Sequence, residues 1–105
     1  MNTSQKGDRL ALVLKNAAIA KGISTVVKVR SSGHMGRRGG VAADVVVGGY
    51  KVESKNYRRG VSSGTIEEAL YEQGVHAVLH KRERGKPLVT MDMNDWLDLV
   101  AARSE

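Results

Sequence analysis

The chain of 105 residues has no cysteine, no phenylalanine, one proline and three histidines, and only 4% of its residues are aromatic. Without cysteine there is no disulfide framework and no thiolate zinc site, and three scattered histidines do not make an imidazole one. Any metal must be held mainly by carboxylates. So few aromatics also leave no stacking platform for single-stranded nucleic acid. No segment approaches the roughly 18 uninterrupted apolar residues of a spanning helix, and Met1 to Gly7 lacks the apolar run of a signal peptide. The expectation is a cytoplasmic protein with no membrane partner. What is present, 41% hydrophobic and 27% charged residues, is the composition of an ordinary globular chain. Its length suits a single domain, 1–105, with one modest core, so that a large binding surface calls for a second subunit.

The net charge of +6 is unevenly distributed. The first 60 residues carry 12 basic and 3 acidic side chains and the remainder 5 and 8, so a balance of +9 is followed by one of −3. The first half is therefore the candidate face for a polyanion.

Hydrophobic periodicity orders the chain as αβββαββα. Leu10, Val13, Leu14, Ala17 and Ala18 recur at helical spacing between Ser4 and Lys21, ahead of Gly22. Thr25 to Arg30 is β-branched and alternating, and Ser31 to Gly40 has the composition of a basic loop. Val41–Val47 and Tyr50–Asn56 read as strands joined at Gly48-Gly49, a dipeptide suited to a two-residue hairpin turn. A second basic loop, Asn56 to Gly64, leads to Thr65-Ile-Glu-Glu68, a capping box that opens a helix ending near Gly74. Val75–Lys81 and Leu88–Met91 form a second expected hairpin. Asn94 or Asp92 then caps a C-terminal helix with an apolar face of Trp96, Leu97, Leu99 and Val100, Trp96 being assigned to the core.

A two-residue turn at Gly48-Gly49 pairs Val47 with Tyr50, Val45 with Val52 and Asp44 with Glu53. Side chains alternate, so Ala43, Val45, Val47, Tyr50, Val52 and Ser54 share the core face, while Ala42, Asp44, Val46, Lys51, Glu53 and Lys55 share the other. Two opposed carboxylates about 5 Å apart repel by roughly 3 kcal/mol at an effective dielectric near 20. Lys55, two residues beyond Glu53, offsets part of this, and convergent carboxylates suit Mg²⁺. The set reads as a hydrolytic metal site between two basic loops, in which metal acidifies water and Lys55 faces phosphate. The rival reading is a solvated hairpin face on which each carboxylate pairs with Lys55 or Lys51.

The runs Arg30-Ser31-Ser32-Gly33, Gly40-Val41-Ala42-Ala43-Asp44-Val45-Val46-Val47 and Val52-Glu53-Ser54-Lys55 resemble the PD-(D/E)XK nuclease superfamily, and within it the Holliday junction resolvase branch of archaeal and phage type. The resemblance covers most of the chain. It extends through the helix containing Gln73 and through Val75-His76-Ala77-Val78-Leu79. It implies an α/β fold with an αβββαβ restriction-endonuclease-like core, a mixed central sheet flanked by helices, to which this chain adds an extra strand and a C-terminal helix. It further implies a Mg²⁺-dependent endodeoxyribonuclease, with Mn²⁺ as a substitute, acting as a homodimer on four-way DNA junctions in recombination and repair.

Carried over residue by residue, Asp44 and Glu53 match the metal-binding carboxylates and Lys55 the catalytic lysine. Ser32, with Ser31 as its neighbour, matches a serine of the resolvase loop, and Gln73 a polar residue of the following helix. Ala43 stands where the motif often has proline. The first-helix glutamate of the resolvase branch falls, by register from Lys6-Gly7, on Ala11, and Asp8, one turn earlier, is the alternative metal ligand. Arg30, Arg37, Arg38, Arg58 and Arg59 are the expected phosphate contacts, because guanidinium groups fork onto phosphate. His34 and Tyr57 are further nucleic-acid contacts in the two loops. Lys81, Arg82, Arg84 and Lys86 read mainly as charges that keep a strand edge soluble, and His76 and His80 as sheet residues. The alternative to an active resolvase is a nuclease-fold DNA-binding protein that has lost activity, or a nuclease of other DNA or RNA structures.

Overall fold

The computed structural model describes residues 3–27 and 45–104, with side chains for 9–27 and 45–103. Helix α1 (Thr3–Ala20) buries Leu10, Ala11 and Ala18 and half-buries Leu14, while Val13 and Ala17, expected on the same face, point to water. It ends where the sequence predicts, with Ile23 N–H donating to the Ala18 carbonyl at 2.9 Å across Gly22.

Five strands make one mixed sheet in the order β1 (Thr25–Val27), β2 (Val45–Val47), β3 (Tyr50–Asn56), β4 (Ala77–Lys81) and β5 (Leu88–Met91). All neighbours are antiparallel except β3 and β4, which run parallel. A parallel pair needs a crossover. Here it is α2 (Ser63–Glu67), continued by a π-helical segment, Glu68–Glu72. Helix α3 (Met93–Ser104) follows β5. The fold class is thus α/β, a five-stranded mixed sheet flanked by helices, in the expected element order.

The hairpin register is the one its turn dictates, with Val45 opposite Val52, Val46 opposite Lys51 and Val47 opposite Tyr50. Gly48 and Gly49 sit at φ of 54° and 87°, the left-handed region that a two-residue hairpin turn requires. On one side of the sheet Val45, Val52, Ala77 and Leu79 close against Leu10 and Ala11 of α1. On the other, Val78 packs with Ala69 and Val75, flanked by Ile66 and Leu70. Tyr50, placed on the core face by alternation, lies beside the turn and is exposed.

Two expectations are corrected. The crossover helix begins before the Thr65 box, because Ser62, in extended backbone, accepts the Thr65 N–H on its hydroxyl at 3.2 Å and so provides the first cap. Trp96 is not core but 54% exposed, and Met93, Leu97, Leu99 and Val100 are exposed with it. Helix α3 is tethered at its start instead. Asp92 accepts the N–H groups of Asn94 and Asp95 at 2.9 and 3.3 Å and the Tyr71 hydroxyl at 2.7 Å. Among the described residues, its apolar side remains at the surface.

Candidate active site

Strand β3 carries the candidate chemistry because alternation puts Glu53 and Lys55 on one side and Ser54 on the other. Glu53 is only 7% exposed and Ser54 only 3%. The Lys55 Nζ lies 3.8 Å from the Glu53 Oε2, a partly buried pair in which the ammonium keeps contact with water. Lys51, the rival cation of the sequence reading, is exposed.

Parallel pairing extends this face onto β4, where Glu53 lies beside Val78 and Lys55 beside His80. His80 Nε2 and the Thr90 Oγ1 of β5 are 2.7 Å apart. Burial lowers the His80 pKa from its ordinary 6.5, so the ring is neutral at physiological pH and adds no second cation next to Lys55. His80 is the residue of this face that sequence reasoning passed over. Its even spacing from Val78 was visible, but only the β3–β4 register brings it beside Lys55.

Ala11, the position aligned with the first-helix glutamate, is 1% exposed among Leu10, Val45, Val52, Ala77 and Leu79. These residues occupy the side of the sheet opposite Glu53, as Val78, the partner of Glu53, belongs to the other apolar cluster. Asp8 belongs to the backbone of α1, and its side chain lies outside the described residues. Asp44, Ser31, Ser32, Arg30, His34, Arg37 and Arg38 also lie outside them. Gln73 is exposed at the end of the π-helical segment, its N–H donating to the Glu68 carbonyl. Tyr57 is half-buried, and Arg58 and Arg59 are exposed, in the turn that leaves β3 just beyond Lys55.

The oxygen donors of Glu53 suit a hard cation such as Mg²⁺ or Mn²⁺. Among the described residues, however, no three His, Asp or Glu side chains converge to hold one. The other carboxylates of the expected ligand set, Asp44 and the Asp8 side chain, lie outside the described residues.

A separate cleft of about 340 Å³ opens at the other end of β3, between the Gly48-Gly49 turn, Tyr50, His76, Asp95 and Asp98. Here His76 is structural. Its Nδ1 accepts the Lys51 N–H at 2.8 Å while its own N–H donates to the Lys51 carbonyl at 2.8 Å, fastening the start of β4 to β3. No described helix is long and apolar enough to cross a membrane. Compared with protein-family models, curated proteins and solved structures, the chain matches none of them.

Proposed function

We propose that the chain is a Mg²⁺-dependent endodeoxyribonuclease of branched DNA, a Holliday junction resolvase that nicks strands by hydrolysing phosphodiesters as a homodimer. The observation that carries this reading is the Glu53–Lys55 pair, a buried carboxylate 3.8 Å from a partly exposed ammonium on one strand face. Arg58 and Arg59 follow at the end of the same strand. The two-residue turn pairs Asp44 with Glu53 on sequence grounds, and the described pairs, Val45–Val52, Val46–Lys51 and Val47–Tyr50, have the register of that turn.

In this reading Asp44 and Glu53 hold the cation, while Asp8, the third carboxylate of the sequence expectation, belongs to α1, which packs on the side of the sheet away from Glu53. When bound, it supplies Lewis acidity toward the phosphate and a more acidic water. Lys55 contributes a fixed positive charge beside the reacting phosphate, where limited solvent strengthens each electrostatic contact. Ser32 and Gln73 are the further polar residues of the site. Arg30, Arg37, Arg38, Arg58 and Arg59, with His34 and Tyr57, hold the flanking backbone. A second copy of the chain is the partner proposed for the exposed Met93, Trp96, Leu97 and Val100 of α3, where burial against a symmetric copy would remove apolar side chains from water.

One observation favours the second reading, a DNA-binding protein without nuclease activity. Ala11 supplies no carboxylate, and its surroundings are apolar core. Cleavage of a labelled four-way junction against matched linear duplex, with Mg²⁺ and with EDTA, separates the two. The active reading expects paired symmetric nicks on the junction, lost in Glu53→Gln and Asp44→Asn with binding retained, and sedimentation as a dimer. Tight junction binding without cuts would establish the second reading. Absence of both binding and cleavage would refute the two together.

A further inference from the structure

Because β3 and β4 are parallel, with Asn56 beside Lys81, both strands release their chains at the same end of the sheet. One leaves through Tyr57-Arg58-Arg59-Gly60, the other through Arg82-Glu83-Arg84-Gly85-Lys86. The two turns are fastened to each other. Glu83 N–H donates to the Arg58 carbonyl at 3.1 Å, and Arg58 Nε lies 3.2 Å from the Glu83 Oε2. Between them is an open cleft of about 340 Å³ lined by Arg58, Arg59, Glu83 and Arg84.

The second turn is built at a conformational cost. Arg84 has φ of 64° and is the one non-glycine residue with positive φ among the described residues. That region suits glycine or asparagine and penalises any other side chain. Gly85, next to it, is closely packed, since a Cβ there would stand 2.9 Å from the Arg82 Cγ and 3.2 Å from its carbonyl oxygen and would force Arg82 to shift. An arginine held where a glycine would be easier points to a use for the guanidinium. The Arg58–Glu83 pair is solvated, with the two side chains 81% and 53% exposed, so the pair opens readily and leaves Arg58 available to another anion.

We infer that the β4–β5 turn is the second wall of a phosphate-binding cleft, in which Arg84 joins Arg58 and Arg59 to grip the backbone of a nucleic acid, while Glu83 holds Arg58 in place and limits affinity by its own charge. This rests on the DNA-directed reading of the site and extends it to a turn otherwise explained as a solubilising edge. Guanidinium forks match phosphate oxygens. Arg84 lies 25 residues beyond Arg59 in the chain, and the parallel pairing of β3 with β4 brings their two turns together.

The test is fluorescence anisotropy on a labelled four-way junction and a linear duplex in EDTA over a salt series, so that neither metal nor cleavage enters. One phosphate contact to duplex DNA contributes a salt slope of about 0.9, equivalent to about eightfold in affinity at about 0.1 M salt. Arg59→Gln and Arg84→Gln are each expected to lose that factor and that slope, Glu83→Gln to bind more tightly, and Arg103→Gln, an equal charge change on α3, to bind as the parent does. Arg84→Gly separates binding from folding. It relieves the turn and so raises the melting temperature while losing the same eightfold, whereas a merely structural role predicts unchanged affinity. If the parent binds DNA and neither Arg84 variant weakens it, the cleft is overturned and the DNA-directed reading stands. If the parent binds no nucleic acid, both fall. Weakening seen on phosphatidylserine vesicles and not on DNA would also overturn it.

Discussion

Ala11→Glu introduces the carboxylate that the resolvase resemblance places on the first helix, and the structure predicts that it removes most of the fold's stability at neutral pH. Ala11 is 1% exposed, enclosed by Leu10, Val45, Val52, Ala77 and Leu79. An introduced carboxyl there stays protonated, and holding it so at pH 7 against an ordinary glutamate pKa near 4.3 costs roughly 4 kcal/mol. Leaving the neutral group without a partner costs about 1–3 kcal/mol more. Forcing its extra atoms into filled space adds about 1–3 kcal/mol. The sum, roughly 6–10 kcal/mol, is comparable with the whole stability of a small domain, about 5–15 kcal/mol. Because the folded-state pKa of the introduced group is raised, the loss is smallest at low pH and grows as pH rises. Going from pH 7 to pH 5 should therefore recover roughly 2.7 kcal/mol. Urea denaturation followed by circular dichroism at the two pH values reads this directly. A soluble variant with parental stability at both would refute the placement of Ala11 in the core and reopen the position to a metal ligand.

The tether of α3 should respond at both ends of the pH scale. The Tyr71 hydroxyl, helped by the Asp95 and Asn94 N–H groups and opposed by desolvation, holds the Asp92 carboxyl below its ordinary 3.8, while the bond to Asp92, then burial and nearby carboxylates, push Tyr71 above 10.0. A depressed acid stabilises above its unfolded pKa and loses that contribution as pH falls through the folded value. A raised phenol does so below its unfolded pKa and loses it as pH rises through the folded value. The fluorescence of Trp96, the one tryptophan, should therefore change below about pH 4 and above about pH 10, with Tyr71→Phe removing the alkaline step; identical profiles would refute the coupling. At the hairpin, Gly49→Val forces a β-branched residue to φ of 87° and should destabilise by about 1–2 kcal/mol or more in chemical denaturation. Gly64→Ala, inside α2 where an added Cβ meets only the Ser62 Oγ at 4.0 Å, an ordinary contact, should stabilise by roughly 0.5–1 kcal/mol in the same assay.

Local chemistry carried much of this architecture. The Gly48-Gly49 turn determines its register by itself, since a two-residue loop admits one pairing, and that register with alternation puts Glu53 and Lys55 on a common face. Tyr50–Asn56 and Leu88–Met91 are bounded as their β-branched runs predict, and α1 ends at its glycine. What the sequence by itself could not determine is which surfaces meet. An amphipathic pattern records that Trp96, Leu97 and Val100 share a side of α3, not whether the chain covers that side, and it leaves them exposed. Nor does a basic run state its neighbour. Arg58 and Arg84 face one cleft, and His80 stands beside Lys55, only because β3 and β4 run parallel, a pairing that needs the crossover helix and is invisible in either strand alone. Periodicity is a property of adjacent residues and is written in the chain; the pairing of distant strands follows from the total packing of the fold, and it is that packing which decides which charges face one another.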